Sequence, residues 1–336
     1  PRDWSSDVCS SDLIAVKSNI CFKNKTLSML NRRFLRIKVM QAIYAYIQQD
    51  VTERRLAENM LFKSIENVES LYVYVLQLLL ELKFQAERQI EEQRSKLRPT
   101  ASDLNPNLRF VENHFFKALE TSKSFQSTLK KHQVSWQAHT DIVRQLWNKL
   151  KHEALYLNYM QLPDRGYRGD RVFIQELLQQ FLYEQDLLSA HFSELDLHWT
   201  DDAYIVYTVL LKHIEQHHEA FEIKPLMFDT EEDSLFVKNL FNLTLDHRDR
   251  FASDIQRFAQ NWELDRIAQM DLILMQMALT EILFMPEIPI KASLNEYIEI
   301  SKQYSTPGSK LFINGILDKI LAELKSTQQI VKTGKG

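Results

Sequence analysis

Only six glycines and eight prolines punctuate 336 residues. Seven of the prolines and three of the glycines fall at Pro99 and Pro106, from Pro163 to Gly169, at Pro225, at Pro286 and Pro289, and at Pro307-Gly308. Proline lacks a backbone donor and clashes with the preceding helical turn, so helices must lie between these points. The intervening segments carry apolar residues at helical spacing, as in Leu61 to Leu97, Phe110 to Tyr159, Val172 to Ala190 and Leu235 to Phe251. No segment alternates apolar and polar residues as a half-buried strand does. The pattern predicts an all-α fold, with enough chain for a large core or two domains.

Formal net charge is −4, so a nucleic-acid surface would have to be a local patch. The longest apolar run, Leu71 to Leu80, is interrupted by Gln77 and is too short to span a bilayer. The two cysteines, Cys9 and Cys21, precede Phe22, which leaves the body without a disulfide or thiolate metal site. These features predict a soluble, cytoplasmic protein. Residues Pro1 to Leu13 show neither helical nor strand periodicity and lack the apolar stretch of a secretory signal. Residues 1–28 are therefore expected to be a non-native or disordered leader, with the folded chain starting at Met29.

Shifting the chain by 63 residues brings Asp170, Phe173, Leu177, Leu182, Asp186, Trp199 and Asp202 onto Asp233, Phe236, Leu240, Leu245, Asp249, Trp262 and Asp265. Leu188, Phe192 and Leu195 likewise fall on Phe251, Ile255 and Phe258. The correspondence fits either a duplicated helical hairpin or a chance alignment of helical sequences.

On a helix turning 100° per residue, Leu35, Val39, Ala42, Ile43 and Tyr46 form one apolar stripe. Arg32, Arg33 and Arg36 gather on an adjoining sector, and no acidic residue occurs between Lys17 and Gln49. Cations at a helix start oppose the helix dipole. The residues alone fit two readings, a solvated helix start or arginine forks that bind phosphate.

The run Arg32-Arg33-Phe34-Leu35-Arg36 followed by Gln41-Ala42-Ile43-Tyr44 resembles the opening helix of the NusB family of transcription antitermination factors. The C-terminal part strengthens that resemblance. Residues Asp271 to Leu283 look like the family's central buried helix, Ile288-Pro289-Ile290-Lys291 like its connector, and Leu294-Asn295-Glu296-Tyr297 and Phe312-Ile313-Asn314-Gly315-Ile316-Leu317-Asp318-Lys319 like its last helices. The resemblance implies an all-α, NusB-like bundle that binds boxA-type single-stranded RNA of ribosomal-RNA leaders. It implies NusE, a small-subunit ribosomal protein, as partner, and an antitermination complex on RNA polymerase.

The same resemblance implies RNA contacts at Arg32, Arg33, Arg36, Lys38, Tyr44, Lys310 and Phe312, and partner contacts at Tyr44 and Asp271. Phe312 is open to a second reading as core, and Asp271 to one as a local cap or exposed helix charge. Gly315 lowers helix stability unless another helix approaches closely there.

The implied organisation is a basic helix at 29–50, a helical insertion at 51–224, a helical core at 225–328 and a disordered tail at 329–336. The large insertion resembles that of extended family members from the Bacteroidetes; Trp136, Trp147 and Trp199 give it material for a core. The alternative function is a helical scaffold that keeps the fold without sequence-specific RNA binding.

An enzyme and a cofactor are not expected. Gly166-Tyr167-Arg168-Gly169 lacks the spacing of a phosphate loop. His213 and His217 stand four residues apart, as a metal pair on a helix would, but no third ligand is evident and the cluster of His213, His217 and His218 fits a solvated polar face.

Overall fold

A computed structural model describes residues 27–48, 53–163, 166–216, 221–223, 231–259 and 267–333, with backbone alone for 27–31. Cys9, Cys21, Pro225, His217, His218, Trp262 and Asp265 lie outside the described residues. Among those described there are helices and no strands, in agreement with the all-α expectation.

The first helix, α1, spans Leu27–Gln48 and so begins two residues ahead of Met29. Its apolar stripe is its docking face: Leu35, Val39 and Ile43 are fully buried, and Tyr46 meets the edge of Phe241. Helix α2, Arg54–Arg94, follows. Its 41 residues extend about 60 Å at the helical rise of 1.5 Å per residue. The stretch Leu71 to Leu76 is buried on every side, because the helix runs between elements packed on opposite faces. No described helix is long and apolar enough to cross a membrane.

From Phe110 to Tyr159 the sequence has helical spacing and no internal proline, and the chain there folds into several short helices. These are α4 (His114–Thr121), α5 (Lys123–His132), α6 (Thr140–Leu150) and α7 (Ala154–Gln161), after a one-turn α3 at Ala101–Leu104. Side-chain caps make the breaks that proline does not. Asn113 accepts from the Phe115 amide at 2.8 Å, Ser122 accepts from the Phe125 amide at 3.2 Å, and Gln133 closes α5 with φ of 52°. Around α2 these pieces bury the expected tryptophans. Trp136 stacks on Tyr74 at 4.1 Å and donates to its carbonyl at 3.0 Å, while Trp147 donates to Gln89 at 2.6 Å.

The 63-residue correspondence coincides with helix boundaries in its first two helices. Helix α8 (Tyr167–Glu176) runs into a π turn at Leu177–Leu182, and the shift carries this unit onto α11 (Glu231–Asp246). Helix α9 (Asp186–Leu195) falls on α12 (Arg248–Phe258), and α10 (Trp199–Gln216) overlaps α13 (Gln269–Phe284). Phe173 and Phe236, Leu177 and Leu240, and Leu188 and Phe251 are buried in both copies. Burial matches at these pairs and the first two helices correspond, but α13 starts at Gln269 where the shift of α10 gives 262, so both readings stay open.

Helices α14 (Ile290–Tyr304) and α15 (Ser309–Ser326) complete the C-terminal core. Helix α13 is its centre. Every side chain from Ile273 to Ile282 is buried, because α1, α11, α12, α14 and α15 surround it. Helix α1 also reaches α2 and α10, and thereby joins the two halves.

Three expectations change. Residues 329–333, expected to be disordered, follow the C-terminal end of α13, where Lys332 donates to the carbonyls of Glu281 at 3.1 Å and Met285 at 2.8 Å. A cation there satisfies carbonyls that the helix end leaves open. His213 is buried and bonded to the Tyr72 hydroxyl at 2.9 Å, so it does not belong to a solvated face. Gly315 is exposed, and a Cβ added there would meet nothing within 4 Å. No close helix approach requires this glycine. Gly315→Ala is therefore expected to stabilise the protein by about 0.5–1 kcal/mol through helix propensity and a more restricted unfolded chain. Urea denaturation checks this; an unchanged or lower midpoint would contradict it.

Candidate nucleic-acid interface

Helix α1 carries four cations and, over its described side chains, no carboxylate. Its counter-charges come from helices 160 or more residues away in sequence. Arg36 is 4% exposed and reaches Glu281, which is fully buried on α13. The pair is bidentate, with Nε donating to Oε2 and Nη2 to Oε1, each at 2.8 Å. Ser293 donates to Glu281 at 2.6 Å and Tyr297 at 3.1 Å, which satisfies the remaining acceptor capacity of the carboxylate. Burial opposes the charge on Arg36, but the Glu281 carboxylate more than offsets it, so the guanidinium pKa is raised. Burial, followed by the charge of Glu281, holds the Tyr297 phenol well above its usual range.

Lys38 is equally buried. Its ammonium lies 2.7 Å from Asp202 near the start of α10, and both side chains are almost fully enclosed. Burial pushes the Asp202 carboxyl up to about 6, against the downward pull of Lys38. Asp196, Asp201, His198 and Tyr304 surround this pair electrostatically.

Arg33 and Arg32 lie nearer solvent. Arg33 donates through Nε to Glu296 Oε2 at 2.6 Å and through Nη2 to Oε1 at 2.8 Å, with 29% of its side chain exposed. Arg32, 31% exposed, sits 3.4 Å from Asp233 and 3.7 Å from Glu232. Its guanidinium lies 5.1 Å from the centre of the Phe236 ring.

The RNA-contact expectation therefore divides. Arg36 and Lys38 are buried and face carboxylates, so their charges hold helices together and do not meet a ligand at the surface. Arg33 shares a strip with Ile37, exposed Tyr44 and exposed Gln48, all within about 60° on the helix wheel. Lys310 is exposed at the start of α15, and its charge, like that of Arg33, acts on Glu299. A hydrogen bond from Lys302, then the charges of Lys302, Arg33 and Lys310, hold the Glu299 carboxyl below its usual range. Phe312 is half-buried and packed on the core, which matches its second reading; its neighbour Leu311 is exposed in its place.

Asp271 is 5% exposed and accepts from Ser309 Oγ at 2.7 Å and from Ser305 Oγ. It fastens the turn between α14 and α15, and this local role occupies the carboxylate expected to meet a partner. Sequence reasoning did not assign Glu281, Glu296 or Asp202 a role. Glu281 alone left a signal, a carboxylate inside an otherwise apolar helix, which can be buried only if paired. Among the described residues no group of histidine, cysteine and carboxylate side chains is arranged to hold a metal ion.

Burial separates the energetic weight of these pairs. Arg36→Leu or Glu281→Leu strands one buried charge and is expected to cost about 3–5 kcal/mol in urea unfolding. Arg33→Ala breaks a partly exposed pair and is expected to cost no more than about 1 kcal/mol. Equal losses would contradict this ranking. Asp202 yields a pH dependence. Because its folded pKa lies above the ordinary value of about 4, its stabilising contribution is full below pH ~4 and lost as pH rises through about 6. Urea midpoints of wild type relative to Asp202→Asn should therefore decline between pH 4 and 6, and a rising difference would contradict the sign.

The NusB family model matches residues 205–322, so the match begins on α10, inside the region expected as insertion. The transcription antitermination protein NusB of Salinibacter ruber is 45% identical over 101 residues, 30% of this chain and 63% of that protein. Its counterpart in Chloroherpeton thalassium is 41% identical over 101 residues, 30% of this chain and 48% of that protein. The chain thus spans about half to just under two thirds of the length of these two relatives. The NusB of Geobacter sulfurreducens is 36% identical over 111 residues, 32% of this chain and 80% of that protein. No solved structure matches. With four fifths of a curated relative covered at this identity, the chain belongs to the NusB family.

Proposed function

We propose that this chain is a non-catalytic transcription antitermination factor of the bacterial cytoplasm. In this reading it binds boxA-type leader RNA of ribosomal-RNA operons together with NusE and nucleates an antitermination complex on RNA polymerase. The observation that supports it, beside family membership, is the strip of Arg33, Tyr44 and Gln48 on α1. Arginine and lysine suit phosphates, while an exposed tyrosine offers a face to an unstacked base. Contacts to the backbone would fix register, and the aromatic and amide groups would read bases.

A second reading, a helical scaffold without sequence-specific RNA binding, is favoured by a different observation. The four described cations of α1 all face carboxylates, and the N-terminal half exposes Leu97, Leu104, Leu157 and Leu162. Exposed apolar groups of this kind suit a protein partner.

Fluorescence anisotropy with a boxA-type RNA and a scrambled control, with and without NusE, separates the two. The antitermination reading expects a preference for boxA that increases with NusE. It also expects Arg33→Ala to weaken binding by roughly 5–10-fold and flatten the salt dependence by about one phosphate contact. Equal affinity for both RNAs would sink the sequence-specific reading and leave the scaffold.

A further inference from the structure

The RNA-facing strip carries its own competitor. Arg33 is the described α1 cation that shares a face with Tyr44 and Gln48, yet two donors of its guanidinium already lie on Glu296 at 2.6 and 2.8 Å. That hydrogen bond is the largest cause of the raised Arg33 pKa, and Glu299 adds a second negative field. A phosphate and a carboxylate seek the same planar fork. A phosphate arriving at Arg33 must therefore either displace Glu296 or bind the remaining donors beside a negative charge.

We propose that Glu296 sets the RNA affinity of this protein by masking Arg33, as an anionic stand-in for a backbone phosphate. The proposal rests on the RNA-binding reading above. Glu296 would set affinity: weak, sequence-blind phosphate contact would not repay loss of the intramolecular pair, whereas a full set of base and backbone contacts would. The buried pair at Arg36 cannot act in this way, because releasing it would expose Glu281 inside the core. Arg33 is suited because part of its side chain already reaches water, so opening the pair carries little cost in stability.

The test measures anisotropy of labelled boxA-type and scrambled RNA with the full chain and four variants: Glu296→Ala, Arg33→Ala, the double variant and Glu92→Gln. Glu92 is an exposed carboxylate near the far end of α2, so its removal reproduces the change in net charge away from the strip. Glu296→Ala is expected to bind roughly 3–10-fold tighter, with the salt dependence steeper by about one phosphate contact. The gain should vanish in the double variant. Glu92→Gln should match wild type.

Binding of Glu296→Ala that is equal to or weaker than wild type, or a gain that persists without Arg33, would overturn the proposal. A thermal melt of each variant shows whether weaker binding reflects unfolding; in that event Glu296→Gln, which keeps the shape without the charge, decides by the same criteria. The two readings fail separately. Equal affinity of wild type for both RNAs removes the sequence-specific function, while an Arg33-dependent gain in Glu296→Ala would still uphold the mask.

Discussion

The structure depends on one buried carboxylate. Glu281 sits in the centre of α13, where every neighbouring side chain is enclosed. Arg36 crosses from α1 to pair with it, and Ser293 and Tyr297 on α14 complete its shell. One side chain therefore ties together the first helix, the central helix and the helix after it. Such a network adds less net stability than apolar packing of the same volume, because each ion is desolvated. What it supplies is register: α1 turned by one residue would leave both charges unpaired.

The same logic explains the composition of α1. A helix with cations near its start and no acid runs against its own dipole and would be a poor helix in isolation. Tertiary contacts compensate, with Asp233, Glu296, Glu281 and Asp202 presented by four other helices. Burial then sorts the cations by role. Lys38 and Arg36 fix the packing of α1 against both halves of the molecule, and Arg32 and Arg33 remain near water. Four similar charges within seven residues of sequence thus have different physical consequences, according to depth.

Much of this was legible before the structure. Scarce proline and helical spacing announced an all-α fold, and the stripe of Leu35, Val39 and Ile43 is the buried face of α1. The resemblance located α13 as the central buried helix. What escaped was non-local. The carboxylates that neutralise α1 lie 164 to 263 residues away, and no periodicity within a helix reports a partner at that range. Breaks between Phe110 and Tyr159 were missed because serine and asparagine end helices by capping, which leaves a weaker trace than proline. Arg36 and Arg33 have the same residue type and helical context, so only tertiary burial could tell a core cation from a surface one.

Native-state hydrogen exchange on α1 and α13 tests the central claim most directly. If the Arg36–Glu281 network binds α1 into the core, α1 amides around Leu35 to Ile43 should open only with those of Ile273 to Ile282, in one cooperative event with the same free energy and urea dependence. If α1 instead exchanges through a separate, cheaper local opening while α13 stays protected, the buried pair is not what holds the first helix, and the account is contradicted.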